Sequence, residues 1–558
     1  MRPLLPTVRR TLPTAFLTSL LLLAPLASAQ APAAPDAPRG DASGQPFVDT
    51  VEVTLINVNV SVTDRSGNPV PGLEAKDFEV YEDGERVEVS NFAWVDRPHA
   101  GPEADGPDSV ANLATTPTEG GEAAMEAIPV AAPVAPLHLV LYVDNNNILP
   151  STRNRVLPEL QRFLTDELAA QDQVMVVSFD RSLRVVQPFT TDRTLAIEAL
   201  EGMMHSSTER MLVEAENQRL ASELDHATDN TLDSALLDIE AGASAQRHTV
   251  ASAQRAMSAL VSALAGLPEP KAVVHVSDGM PLPDASAEGT LQNIIRSANA
   301  NRVTFYALDS RGSRNDDFAD SRVGSPDSAR FVTGDTRRQD ADALKILAAD
   351  TGGFAVSNTS GFRGGLERIG RQLSGYYSLG YTPRQRDGEY HRIKVKAKGR
   401  GLQLRYRDGY QDRSTQQQMA DSTLAVLSFD SSFGNPLGVE LAAGPPQADA
   451  GGHPLVTVTV KLPLQQLTFI PQDTFRAGQV KLYVVAMDSE GHVTPMRELT
   501  VPIRIPEQQM ASHPPEFVAY QVQVPFAQSG TTVAVGAQDQ LGVLRSFTSL
   551  NIAPTGHG

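Results

Sequence analysis

The chain has 558 residues and a formal net charge of −19, from 47 Lys and Arg against 66 Asp and Glu, and it contains no cysteine. That length is enough for several domains with full cores. The missing cysteine excludes disulfide staples, thiolate metal sites and thiol nucleophiles. The acidity argues against nucleic acid as a partner, because phosphate binding requires clustered Lys and Arg.

Arg2, Arg9 and Arg10 precede an apolar stretch from Phe16 to Leu26, and Ala27-Ser28-Ala29 follows. This order of basic, apolar and small residues reads as a secretory signal over residues 1–29, cleaved after Ala29, and predicts a periplasmic or secreted protein. The apolar core is short and broken by Pro25, too short for a membrane span, and no integral span is expected after the signal is removed. Residues 30–46, rich in Ala, Pro, Gly and Asp, read as a disordered leader, and residues 99–136 as a linker of the same character.

Between them, residues 47–98 read as β structure. Val51, Val53 and Leu55, then Val58, Val60 and Val62, alternate with polar neighbours, and Asp83-Gly84 separates two further alternating runs, a strong hairpin signal. Four short strands make only half a sandwich with an open edge. Residues 376–412 are again β, with Tyr376 to Tyr381, Tyr390 to Lys396 and Leu402 to Tyr406, and are expected to complete that half-module.

Residues 137–375 alternate strand and helix: Leu137 to Val143, a helix from Val156 to Leu168, then strands at Gln173–Phe179, Arg184–Phe189, Lys271–Val276 and Arg302–Leu308. This rhythm predicts a mostly parallel, Rossmann-like sheet covered on both faces, inserted between the two β segments. The stretch 209–265 is helix-rich, and a polar, solvated hairpin is its plainer reading, with a lid or docking element as the alternative. Residues 413–454 read as a connector with a first strand. Residues 455–558 show regularly spaced alternating strands with turn signals and no helix, which predicts an Ig-like β-sandwich.

The strand Leu137 to Val143 runs directly into Asp144-Asn145-Asn146-Asn147-Ile148. A buried parallel strand that delivers an Asp to the carboxyl edge of a sheet is where open α/β folds build ligand sites. The middle region resembles a von Willebrand factor type A domain. Together with Phe78 to Gly84, Tyr376 to Pro383, Asp387 to His391 and Arg405 to Tyr410, residues 47–412 resemble the VWFA-related family of Acidobacterial type. The resemblance implies an exported protein with an A-type domain and no catalytic residues. It also implies a metal-ion-dependent adhesion site that holds Mg²⁺ or Ca²⁺. The ligand positions of that site fall on Asp144, Asn146, Ile148, Thr208 in Ser206-Ser207-Thr208, and Asp278, which is followed by Gly279. Asn146 still offers a carbonyl oxygen, whereas Ile148 offers nothing, so the site is degenerate and binds its ion weakly if it binds one. The competing reading is that Asp144 only caps the following turn.

No His-Glu-x-x-His, Gly-x-Ser-x-Gly or phosphate-loop pattern occurs, and no catalytic residue is assigned. His138 and His275 read as core histidines. Tyr376, Tyr377 and Tyr381 read as sandwich core rather than as a sugar platform. The function expected is a non-enzymatic protein-interaction or adhesion module with another protein as partner. The alternative is an envelope-associated hydrolase or carbohydrate-binding protein.

Overall fold

A computed structural model describes residues 55–97, 135–180, 182–205, 209–228, 231–310, 337–357, 361–429, 433–448, 451–512, 515–527, 529–542 and 544–553. The signal, the leader, the linker up to residue 134 and Thr208 lie outside these residues. Among the described residues no helix is long and apolar enough to cross a membrane.

The first segment holds β1 (Ile56–Thr63), β2 (Phe78–Glu82), β3 (Glu85–Val87) and β4 (Val89–Asp96). Asp83 (φ 49°) and Gly84 (φ 89°) form the two-residue turn between β2 and β3, with Glu82 opposite Glu85. Two successive positive φ angles match the right-handed twist of a hairpin, which is why Asp-Gly occurs there.

The α/β unit follows: β5 (His138–Asp144), α1 (Pro150–Asp166), β6 (Gln173–Phe179), β7 (Leu183–Thr190), α2 (Arg193–Met204), α3 (Glu209–Asp225), α4 (Leu232–Ala263), β8 (Lys271–Ser277), α5 (Ala285–Ala300), β9 (Val303–Asp309), α6 (Arg337–Asp350), β10 (Ala355–Val356) and α7 (Arg363–Ser374). Its sheet has the order β10-β9-β8-β5-β6-β7, parallel except for β7, which pairs antiparallel at one edge. β5 lies in the middle, and its side chains supply both faces. Leu139, Leu141 and Val143 join one core with α1 and α7, and Val140 and Tyr142 join the other with α4, α5 and α6. That double burial is why the strand reads as a continuous apolar run rather than an alternating one.

The chain then returns to β structure with β11 (Gly375–Tyr381), β12 (Tyr390–Ala397), β13 (Gln403–Arg405) and β14 (Gly409–Gln411). These strands share two sheets with the first segment, in the orders β13-β1-β11-β4 and β14-β12-β2-β3. β1 pairs antiparallel with β11, Val58 opposite Leu379, and β2 with β12, Val80 opposite Val395. One core lies between the sheets, where Tyr377 packs against Phe78, Phe92 and Trp94. A buried ion pair fastens this module to the α/β unit: Arg97, just after β4, donates to Asp172, just before β6, whose carboxylate also accepts from the amides of Leu137 and Ala169.

The last region contains α8 (Thr415–Phe429), β15 (Glu440–Ala443), β16 (Gln447–Ala448), β17 (Pro454–Pro463), β18 (Ile470–Pro471), β19 (Phe475–Asp488), β20 (Arg497–Pro506), α9 (Glu507–Ser512), β21 (Phe517–Pro525), β22 (Thr531–Asp539) and β23 (Arg545–Ile552). The strands form two antiparallel sheets around a Val, Ile and Leu core. The expectation of no helix over 455–558 fails at the short α9, and the connector before it carries α8. α8 packs Val426 on Val485 and Ala534 on one side. On the other side Ser422 Oγ donates to the Gly266 carbonyl at 2.9 Å, and a Cβ on Gly266 would overlap the Asp421 backbone. The polar run Thr415-Gln-Gln-Gln hides the helix because its apolar contacts come only from residues further along.

Candidate functional site at the carboxyl edge of the parallel sheet

β5 ends at Asp144 and β8 at Ser277, with Asp278 following, so both acids emerge side by side at one sheet edge. The loops that carry them are joined by Asp278 N donating to Asn147 O at 2.7 Å. Asp144 folds its own loop back: Oδ1 accepts from the amides of Asn146 (3.2 Å) and Asn147 (3.3 Å), and Oδ2 from Asn147 Nδ2 (2.9 Å). Ser277 Oγ lies 3.3 Å from Oδ2 but has a closer acceptor in Gly279 O at 2.6 Å. Asp278 Oδ2 accepts from Leu149 N (2.9 Å) and Thr152 Oγ1 (3.0 Å), at the start of α1, and Oδ1 accepts from Ser310 Oγ. Burial pushes the Asp278 carboxyl above the usual carboxylate range, against the pull of those three hydrogen bonds and of the Arg210 charge.

Thus the two carboxylates predicted from the sequence are brought together, and their oxygens meet N–H and O–H donors of the chain itself. Ile148 is wholly buried in the core shared by β5 and α1. Asn146 Oδ1 is buried without a hydrogen-bond partner, the one acceptor of this loop left over. A Mg²⁺ ion requires six oxygens in near-ideal octahedral geometry. Asp144 and Asp278 are already engaged by donors of the chain and Ile148 offers no ligand, so among the described residues the donor set is a poor fit for that ion, and Thr208 lies outside them.

Sequence reasoning missed the hydroxyls of Thr152 and Ser310, which lie outside the Asp-x-Ser-x-Ser spacing, and the buried Arg153. Arg153 donates to Asn145 Oδ1 (3.2 Å) and to Met204 O (3.3 Å), while Asn145 Nδ2 donates to Ser178 Oγ (3.0 Å) and that hydroxyl to Asp180 (3.2 Å). Asp180, which follows β6, therefore belongs to this neighbouring network and also faces Arg184 at 3.4 Å. Asp309 is buried at the end of β9.

His275 points its Nε2 to 3.9 Å from Asp144 Oδ2 and stacks edge-on against Tyr142, fully buried. His138 is buried too, and burial, with the nearby Lys271 charge, lowers its pKa to about 4. Lys271 Nζ donates to the carbonyls of Leu264, Ala265 and Leu267, capping the end of α4 and the loop after it. Tyr377 and Tyr381 are core side chains with no exposed ring face.

The helical insertion is a largely exposed pair of helices that presents apolar as well as polar side chains. Met211, Leu212 and Val213 at the start of α3, and Leu232, Leu236 and Leu237 on α4, are exposed, Leu212 by 64% and Leu237 by 66%. Arg210, which precedes this apolar run, is near enough to Asp278 for its charge to act on that carboxyl.

No protein-family model matches the chain, and no curated protein matches it in sequence. Among solved structures it is similar to BatB, a conserved hypothetical protein from Bacteroides thetaiotaomicron (15% identity, 43% of this chain and 97% of that one, TM-score 0.23). It is also similar to an aerotolerance-related membrane protein from Bacteroides fragilis (11% identity, 42% and 98%, TM-score 0.24). A third is the vWF domain of the type V pili tip protein Mfa5 from Porphyromonas gingivalis (10% identity, 43% and 96%, TM-score 0.22).

Proposed function

We propose that this chain is an exported, non-enzymatic protein-interaction or adhesion protein. In this reading the α/β unit is a von Willebrand factor A-type domain with a degenerate metal-ion-dependent adhesion site, and the last region is an Ig-like sandwich. The partner is another protein, and it docks on the helical insertion beside Asp144 and Asp278 without a bridging cation.

The observation that carries this reading is the exposed run Met211-Leu212-Val213 at the start of α3, directly after Arg210. Exposed apolar side chains grouped in this way mark a surface that associates. The hydrogen-bonded state of Asp144 and Asp278 supports an edge that is held in shape by the chain itself. Burial of His138 and His275 supports a structural rather than a catalytic use of both rings.

The test is quantitative capture from an envelope extract by the wild-type chain, Leu212→Asp and Asp278→Ala. Loss of the captured partner with Leu212→Asp is expected. Equal recovery by wild type and Leu212→Asp would remove the insertion from the mechanism.

A further inference from the structure

Two motifs that flank the α/β unit meet at one point. Glu82-Asp83-Gly84 makes the β2–β3 turn, and Asp387-Gly388-Glu389-Tyr390-His391 leads into β12. Because Ile393 pairs opposite Glu82, His391 is carried over the turn. Asp83 N donates to Arg392 O at 3.0 Å, and Arg392 N donates back to Asp83 Oδ1 at 2.8 Å, which fixes the approach. His391 Nδ1 then lies 2.8 Å from Asp83 Oδ2, and Nε2 lies 3.1 Å from Asp387 Oδ1.

One ligand atom from each of Glu82, Asp83 and His391 lies within 4.8 Å of the others, the one such group of acid and His side chains among the described residues. Glu82 and His391 are buried, at 2% and 4% exposure. Glu82 Oε1 accepts from Arg384 N at 3.3 Å, and the buried hydroxyls of Tyr381 and Tyr410 lie beside its carboxylate. Two buried O–H groups and a buried imidazole thus surround one carboxylate at the end of β2.

We propose that Glu82, Asp83 and His391, with the exposed Asp387 beside them, form a site for a divalent transition-metal ion, with Zn²⁺ the ion best suited to it. His391 Nδ1 with the carboxylates of Glu82 and Asp83 is a nitrogen and oxygen set that Zn²⁺ accepts in four-coordinate geometry with a water, while Asp387 holds the other ring nitrogen. Ca²⁺ and Mg²⁺ favour all-oxygen shells, which the imidazole spoils. On loading, the ion replaces the ring proton on the His391 nitrogen that faces Asp83, and that proton passes to solvent. The competing state is metal-free, with His391 bonded to both Asp83 and Asp387. In either state the contact ties the strands before the α/β unit to those after it, and the ion strengthens that tie.

The experiment uses the full chain, stripped with a chelator and titrated with Zn²⁺ by calorimetry, with Co²⁺ as a spectroscopic probe. One tight Zn²⁺ per wild-type chain is expected, with a visible Co²⁺ band and a higher Tm in Zn²⁺. His492, exposed and 3.0 Å from Asp488 and 3.7 Å from Glu490, is a second place where Zn²⁺ could adhere, so His492→Gln is the control and leaves the tight event unchanged. Asp387→Asn, an exposed change that spares the fold, weakens binding by about 10-fold to 100-fold, and His391→Gln abolishes it. If His391→Gln fails to fold, the wild-type and Asp387→Asn titrations decide. A wild-type chain that takes up neither ion overturns the proposal. So does tight binding that is unchanged in Asp387→Asn or lost in His492→Gln.

Discussion

Restoring the missing hydroxyl at the sheet edge should damage the fold without restoring an ion site. Ile148 has no exposed surface and is packed in the core formed by Leu139, Leu141, Val143, Val156 and Leu157. Ile148→Ser removes most of a buried aliphatic side chain, which costs about 2–5 kcal/mol from lost transfer and cavity formation. It also buries a hydroxyl with no assigned acceptor, a further ~1–3 kcal/mol. A net loss of about 4 kcal/mol follows, and in a unit of this size that lowers Tm by about 10 °C. The oxygens of Asp144 and Asp278 remain engaged by the amides of Asn146, Asn147 and Leu149 and by the side chains of Asn147, Thr152 and Ser310. Calorimetric titration of the variant with millimolar Mg²⁺ should therefore give no binding heat, while its melt is shifted down. A variant that melts within about 1 kcal/mol of wild type, or that gains Mg²⁺ binding, would refute this account of the loop.

Three further outcomes are expected. Arg97→Met removes the ion-pair partner of the buried Asp172 carboxylate and should lose about 3 kcal/mol in urea unfolding, whereas a loss below about 1 kcal/mol would show that the backbone donors to Asp172 and the nearby Arg193 charge suffice. Gly266→Ala forces a methyl into the Asp421 backbone of α8 and should destabilise by about 1–3 kcal/mol, and an unchanged melt would mean that α8 does not bear on that loop. His138 is held neutral, with its pKa lowered from 6.5 to about 4, so an unfolded chain gains a proton below pH 6.5 that the folded chain refuses. Its stabilising contribution is complete above pH 6.5 and declines as pH falls towards 4, by up to about 3 kcal/mol. Denaturation measured across that window should show the decline in wild type and a flatter profile in His138→Phe.

Much of the parallel sheet was legible because its central strands are buried on both faces, and Leu137 to Val143 and Lys271 to Val276 have no other use for so many apolar residues in a row. Asp144 and Asp278 were legible for the same reason, as the first carboxylates after such strands. Their partners were not, since Thr152 and Ser310 come from α1 and from the residue after β9, and only the packing of those elements brings the hydroxyls within reach. The helix α8 was hidden by its glutamine-rich first turn, whose neighbours are supplied by β19, β22 and the loop at Gly266. The exposure of Met211-Leu212-Val213 was not legible, because a consecutive apolar run does not follow the helical period of a buried face and so does not say which side it presents. The convergence of Glu82 and Asp83 with His391 depends on the register of β2 against β12, which no local pattern specifies.

The central claim is that partners dock on the insertion and sheet edge without a bridging Mg²⁺ or Ca²⁺. The most direct measurement is capture of partners from envelope extract by the wild-type chain in the presence of a chelator, with Leu212→Asp alongside. The account predicts capture undiminished by the chelator and abolished by Leu212→Asp. Capture that vanishes in chelator and returns when Mg²⁺ alone is restored would contradict it.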